Sequence, residues 1–484
     1  MSTAVRELQP QTVWNYFSDL NAVPRPSKKE ERVIEFIMNF GRELNLETTR
    51  DNVGNVLIKK PATAGKEDSP TIAIQSHLDM VHQKNSATQF DFLTEGIRMT
   101  VEGDWVKADG TTLGADNGIG VACAMAVLAS AELEHPAIEA LFTIDEETGM
   151  TGAKGLEGGL MTARYLLNLD TEEDTELCIG CAGGVDVVAT GSYESTSVAE
   201  KSVTVELTLT GLSGGHSGMD IHRGRANANK LMNRLLERAA SICQARLLKI
   251  DGGGLRNAIP RESTARVVVS PDKVESLKEL VFSTLETLSQ EYATTDPDLN
   301  VKATAEGVYE GKAATLEATL QFTRALHSLP NGIYRLSPDV DGLVQTSSNL
   351  ARVVFEDDAF HVACLVRGSV DSEKSDMARA ISCALEQIGA EVSCSGEYPG
   401  WAPKPDSEVV RVMSKIYREL FNEEPHVLAC HAGLECGIIG QNYPDMEMIS
   451  FGPNIRGAHS PDETVQISSV QKTWKLLIET LARI

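Results

Sequence analysis

Three short apolar segments of this chain each run into acidic or imidazole side chains at their carboxyl ends, and that pattern restricts the fold more than any other feature. Ala73-Ile74-Gln75-Ser76 leads into His77-Leu78-Asp79, Glu139 to Ile144 leads into Asp145-Glu146-Glu147-Thr148-Gly149, and Leu166 to Leu169 leads into Asp170. In an open parallel α/β sheet the loops at strand carboxyl ends converge on one crevice, so this fold would bring those groups together. Thr112-Leu113-Gly114-Ala115-Asp116-Asn117-Gly118 adds another acid just before the small, apolar run Ile119 to Ala129, which reads as a buried helix. Met446 to Phe451 reads as a further strand, followed by Gly457-Ala458-His459-Ser460-Pro461-Asp462-Glu463 and a second imidazole.

The residue types suit metal chemistry. Side chains at i and i+2 of a strand share one face, so Asp79 can hold the second ring nitrogen of His77 and fix its tautomer. Two histidines with several carboxylates, one of them able to bridge, suit two divalent ions about 3.5 to 4 Å apart. Mixed nitrogen and oxygen ligation without thiolates suits zinc, with cobalt or manganese as substitutes. With 69 acidic residues in the chain, any one of these carboxylates alone reads as an ordinary surface group. Jointly they do not, because adjacent carboxylates at the end of an apolar strand repel unless a proton or a cation neutralises them.

The ordered set Ser-His-Leu-Asp, Gly-Ala-Asp-Asn-Gly, Asp-Glu-Glu-Thr-Gly, Asn-Leu-Asp and Gly-Ala-His-Ser-Pro resembles the M20 family of dinuclear zinc peptidases. Ile179-Gly180-Cys181-Ala182-Gly183-Gly184 and Gly214-Gly215-His216-Ser217-Gly218 resemble the branch of that family that cleaves unblocked Xaa-His dipeptides. The resemblance implies that His77 and Asp170 bind one zinc, that Glu147 and His459 bind the other, and that Asp116 bridges both. It implies that Asp79 orients His77, that Glu146 is the general base, and that the Asp116-Asn117 peptide bond is cis. His216 would donate to the substrate carbonyl, with His222 as its rival. Asn257, in Asn257-Ala258-Ile259-Pro260, matches a substrate-side signature of the family. Arg367, ending the strand Phe360 to Val366, could fork onto a substrate carboxylate or form a surface ion pair. Glu435, in His431-Ala432-Gly433-Leu434-Glu435, could meet the substrate's amino terminus or simply pack the catalytic domain.

The order of elements predicts a two-domain α/β protein. A catalytic α/β domain with a mixed, mostly parallel sheet, residues 1–183 and 400–484, is interrupted by an inserted α+β lid domain, residues 184–399. The lid reads as two α+β units in tandem: Ser202 to Glu291, then Ala314 to Ile388. A homodimer is expected because simpler family members complete their sites with a lid from a second subunit, although a doubled lid could do so within one chain.

Composition excludes several classes. The net charge of -25, from 44 basic and 69 acidic residues, argues against nucleic-acid or anionic-membrane partners. The amino terminus carries no apolar run that could serve as a signal, and no stretch approaches about 18 uninterrupted apolar residues. Nine cysteines, an odd number, several of them in apolar segments such as Cys123, Cys364 and Cys383, fit a reducing, cytoplasmic setting. Cys178-x-x-Cys181 has no second such pair and reads as structural. The family resemblance implies hydrolysis of small unblocked dipeptides, Xaa-His substrates and carnosine included, by a water that two zinc ions activate. An N-acyl amino acid deacylase, a tripeptidase, or a noncatalytic binding protein are the alternatives.

Overall fold

The strands Ile72–His77, Ile138–Thr143 and Tyr165–Asn168 are buried along their entire length, so both of their faces are covered. That is why each reads as an apolar run and not as an alternation. The three belong to an eight-stranded sheet in the order Glu47–Arg50, Val56–Lys60, Ile138–Thr143, Ile72–His77, Tyr165–Asn168, Glu447–Ser450, Glu176–Cys181, His426–Cys430. Its four central strands are parallel, and Glu176–Cys181 and Val56–Lys60 flank them antiparallel.

This computed structural model describes residues 3–484. The chain divides into two units: one contains the chain up to Cys181 with Trp401–Ala429 and Leu434–Ile484, the other Ala182–Gly400 with Cys430–Gly433. In the first unit the helix Ala115–Ala129 is apolar almost all round, and it packs on Ile72–His77 and on the helix Gln11–Leu20. Such a helix is stable only when enclosed.

Numbered along the chain, the four parallel strands lie in the spatial order second, first, third, fourth. The switch point therefore falls between the ends of Ile72–His77 and Tyr165–Asn168, where open α/β sheets form their crevice. His77 and Asp170 stand at those two ends.

The inserted unit is built around a nine-stranded antiparallel sheet. Val203–Thr210, Arg246–Gly253, Ser263–Val269 and Asn300–Val308, with the helices Ala228–Cys243 and Val274–Glu291, form a split β-α-β-β-α-β motif with strand order 4-1-3-2. The same order recurs in Gly183–Ser192, Val344–Glu356, Ala359–Gly368 and Glu391–Tyr398, with the helices Leu316–Ser328 and Asp371–Glu386. The second strands of the two motifs join edge to edge, with Ile250 opposite Phe355. The arrangement differs from the expected tandem, because the first strand of the outer motif precedes the inner motif in the chain. Strand pairing across such separations leaves no mark in local periodicity. No helix among the described residues is long and apolar enough to cross a membrane.

Phe142 is fully buried in the core of the first unit. Phe142→Ala should lower the unfolding free energy by about 3–5 kcal/mol in urea titrations; a loss below about 1 kcal/mol would contradict this packing.

Candidate active site

The carboxyl ends of the parallel strands gather two overlapping sets of ligand-type atoms: His77 with Asp116 and Asp170, and Asp116 with Glu147 and His459. Within each set the atoms lie within 4.8 Å of one another. His77 Nε2 is 3.1 Å from Asp116 Oδ1 and 3.5 Å from Asp170 Oδ1. His459 Nε2 is 3.2 Å from Asp116 Oδ2 and 3.0 Å from Glu147 Oε2. Asp116 thus turns one oxygen to each imidazole. The peptide bond that follows it is cis.

Neighbouring groups orient these side chains. His77 Nδ1 lies 3.3 Å from Asp79 Oδ1 and 3.2 Å from the Asp79 carbonyl, which turns Nε2 toward Asp116 and Asp170. The Asp79 carboxylate also accepts the backbone amides of Glu146 and Glu147, at 3.0 and 3.3 Å, and the Ser27 hydroxyl at 2.8 Å. One orienting carboxylate therefore ties His77 to the adjacent glutamates. Asn117 Nδ2 donates to Asp170 Oδ1 at 2.6 Å.

Glu463, a position whose role the sequence did not disclose, is buried and accepts four consecutive amides. Leu113, Gly114, Ala115 and Asp116 donate to its carboxylate at 2.7, 2.9, 2.7 and 3.3 Å. Arg25, also buried, closes the same loop by donating to the Gly114 carbonyl at 2.6 Å and to the carbonyls of Leu78 and Asp79 at 3.1 Å. Gly114 has φ 69°, and a Cβ there would sit 2.6 Å from Arg25 Nη2, so only glycine fits. Arg25 and Ser27 lie in an amino-terminal segment with no ligand-like pattern. For Glu463, its place four residues after His459 was the one available signal.

The electrostatics suit a cluster that holds cations. Burial disfavours a charged His77, but Asp170, Asp116 and Asp79 outweigh it and raise its basicity well above that of free imidazole. Hydrogen bonds to Asp116 and Glu147 lift His459 to about 11. Burial would push Asp116 up, yet the two histidines hold it below the usual carboxylate range. Asp170 is raised to about 6, mainly by burial. Glu147 Oε1 is buried without any hydrogen-bond partner. An orphaned carboxylate oxygen inside such a cluster fits a metal ligand. Glu146 is raised well above a normal glutamate, first by burial and then by Asp170, Glu435 and Glu147.

Glu435 is held from the strands of the parallel sheet. It is fully buried and accepts from Gln75 Nε2 at 2.7 Å and Thr143 Oγ1 at 2.6 Å, beneath the strand ends. Gln75 in turn accepts from Asn168. Burial raises Glu435 to about 7. Cys178 and Cys181 are buried in the strand Glu176–Cys181, away from the ligand sets.

In the inserted unit, Gly215 and His216 pair with Ile259 and Ala258, which places the His216 loop beside exposed Asn257. The amides of Gly218 and Met219 donate to His216 Nδ1 at 3.2 and 3.0 Å. With Nδ1 accepting, the ring proton belongs on Nε2, and burial together with Arg367 disfavours a second proton. His216 is therefore a neutral N–H donor. His222 is exposed in the middle of the short 3-10 turn Ile221–Arg223. Arg367 is buried opposite Ser347 in the sheet.

Comparison with known proteins matches residues 73–483 to the model of peptidase family M20/M25/M40. The chain is 43% identical over 479 residues to the cytosol non-specific dipeptidase of Escherichia coli K12, covering 99% of this chain and 98% of that one. The crystal structure of aminoacylhistidine dipeptidase from Vibrio alginolyticus superimposes with a TM-score of 0.94 at 42% identity, covering 99% and 98% of the two chains. An aminopeptidase PepT from Bacillus cereus, at 16% identity, TM-score 0.57 and 98% coverage of each chain, shares the fold.

Two outcomes follow from this geometry. Because the surrounding carboxylates favour the protonated forms of His77 and His459, filling both sets with zinc near pH 7.5 should release protons. Calorimetric binding heats should then change with buffer ionisation enthalpy, and affinity should fall as pH is lowered; heats independent of buffer would contradict the assignment. Glu463→Ala should weaken zinc binding about 10- to 100-fold in chelator competition, whereas unchanged affinity would show that the amide clamp does not position Asp116.

Proposed function

The chain belongs to peptidase family M20/M25/M40, and on that footing we propose that it is a dipeptidase acting on unblocked dipeptides, Xaa-His substrates including carnosine among them, with two zinc ions per chain. The observation that carries the proposal is the Asp116 carboxylate shared between two histidine-carboxylate sets. Cobalt or manganese would serve the same mixed nitrogen and oxygen ligands. In this reading His77 and Asp170 hold one ion, Glu147 and His459 the other, and Asp116 both. Bound there, the ions would lower the proton affinity of a water and polarise the scissile carbonyl.

The protein's own groups then divide the work. Glu146, whose burial among carboxylates favours taking up a proton, accepts one from the attacking water and passes it to the leaving amine. Asp79 keeps the His77 ring turned so that Nε2 faces its partners. His216 offers Nε2–H to the oxyanion that develops at the carbonyl. Arg367, a buried guanidinium, takes the substrate's carboxyl terminus in a planar fork, and Asn257 is a further substrate-binding residue. Glu435 holds Gln75 and Thr143 beneath the ligands as a positioning residue.

The names of two relatives support the substrate class at different breadths, one as a non-specific dipeptidase and the other as an aminoacylhistidine dipeptidase. A tripeptidase or N-acyl amino acid deacylase would keep the same ligands, since substrate choice does not reside in them. A noncatalytic binding protein would be expected to have lost Glu146 or a ligand, and all are present. The proposal includes a cytoplasmic homodimer.

Metal-loaded protein should hydrolyse unblocked Xaa-His dipeptides faster than N-acetylated analogues or tripeptides. Glu146→Ala should retain both zinc ions by elemental analysis and lose about 10²- to 10⁴-fold in kcat. Normal turnover by that variant would remove Glu146 from the mechanism.

A further inference from the structure

The inserted unit contains a group of buried polar atoms that the reaction described above leaves largely unused. Arg367 is 5% exposed; its Nη1 donates to the Tyr398 hydroxyl at 3.0 Å, while Nε has no hydrogen-bond partner. Among the described residues no carboxylate forms an ion pair with it. A buried guanidinium without a counter-charge is costly, and such a site is suited to an anion that arrives from solution.

His431 lies in the short stretch Cys430–Gly433, which packs within this unit. Its side chain is buried, Nε2 is 2.7 Å from the Ser347 hydroxyl, and Nδ1 is enclosed with no partner. Ser347 stands directly opposite Arg367 in the antiparallel sheet. Gly218 marks where the groups meet. A Cβ there would sit 2.2 Å from the His431 carbonyl oxygen, 3.1 Å from His216 Cε1 and 3.2 Å from Arg367 Nε. A side chain at 218 would collide with that cluster.

Burial, followed by the positive charge of Arg367, lowers the basicity of His431 to about 3, and the nearby Val344 carbonyl offsets only part of this. The ring is neutral at physiological pH. When the Ser347 hydroxyl donates to Nε2, the ring proton sits on Nδ1, which makes no well-formed hydrogen bond. His431 Nδ1 and Arg367 Nε are thus both buried without a hydrogen-bond partner, and the His431 backbone carbonyl and Arg367 Nε both lie against Gly218.

We propose that His431 is a second recognition residue for the dipeptide's carboxyl terminus, donating from Nδ1 to one carboxylate oxygen while Arg367 binds the group through its guanidinium. Ser347 is then the positioning residue that sets the His431 tautomer. The inference rests on the reading of Arg367 as the carboxylate site, and it adds a second donor that strengthens the preference for a free carboxyl terminus over an uncharged one.

The test measures calorimetric binding of a reduced-bond, nonhydrolysable dipeptide and of its carboxamide to full-length, metal-loaded protein. Wild type should prefer the free carboxylate by about 100-fold, as expected for charge-assisted contacts. His431→Ala should cut that preference about 10-fold with carboxamide affinity unchanged, and in hydrolysis the loss should fall on KM more than on kcat. His431→Asn, whose amide nitrogen falls near Nδ1, should restore most of the preference; His431→Gln, which reaches only toward Nε2, should not. Melting temperatures identify any variant that fails to fold, and the Asn variant carries the test in that case. Equal weakening of both ligands by His431→Ala, or no change in either, overturns the proposal while leaving Arg367 in place. A full preference retained by Arg367→Ala, or no preference in wild type, overturns the carboxylate reading on which it rests.

Discussion

One carboxylate, Asp116, must point an oxygen at each of two imidazoles, 3.1 and 3.2 Å away, and much of the surrounding structure serves that requirement. The loop that carries it is fixed from behind by Glu463 through four backbone amides, and by Arg25 through the Gly114 carbonyl. Asp116 and Asn117 depart from helical geometry, so the regular part of the buried helix follows the acid, a favourable placement for negative charge. Without such restraint the clustered carboxylates would separate, since like charges at this range repel. The protonated histidines hold them together in the metal-free protein, and a divalent cation in each set would do so more strongly.

The inserted unit meets a different requirement with the same economy of parts. Backbone amides, not a carboxylate, set the His216 tautomer, so the ring stays neutral and keeps its Nε2–H for donation. A carboxylate partner in their place would favour imidazolium and alter that chemistry. Arg367 and His431 likewise lack acidic partners of their own, which leaves their donors available.

The gathering of His77, Asp116, Glu147, Asp170 and His459 was legible in the sequence because each follows an apolar strand or opens a helix, and parallel α/β sheets collect such ends on one side. The mixed sheet and the interruption by an α+β insert were legible for the same reason: the alternation of elements changes character near Gly183 and again near Pro399. The contributions of Glu463 and Arg25 were not. Each acts on backbone groups far away in the chain, and a backbone amide carries no residue identity that could reveal its partner. The nested order of the two split motifs was hidden too, since the pairing of Gly183–Ser192 with Ala359–Gly368 depends on register and not on composition. The bonds that Glu435 accepts from Gln75 and Thr143 were hidden for the same reason as the partners of Glu463, since both donors lie far from it in the chain.

The account turns on Asp116 serving two cations at once. Crystals of the protein grown with zinc and measured at the zinc absorption edge should show two anomalous peaks about 3.5 to 4 Å apart. One should lie against His77 and Asp170, the other against Glu147 and His459, with an Asp116 oxygen beside each. A single peak, or a pair from which Asp116 is absent, would contradict it.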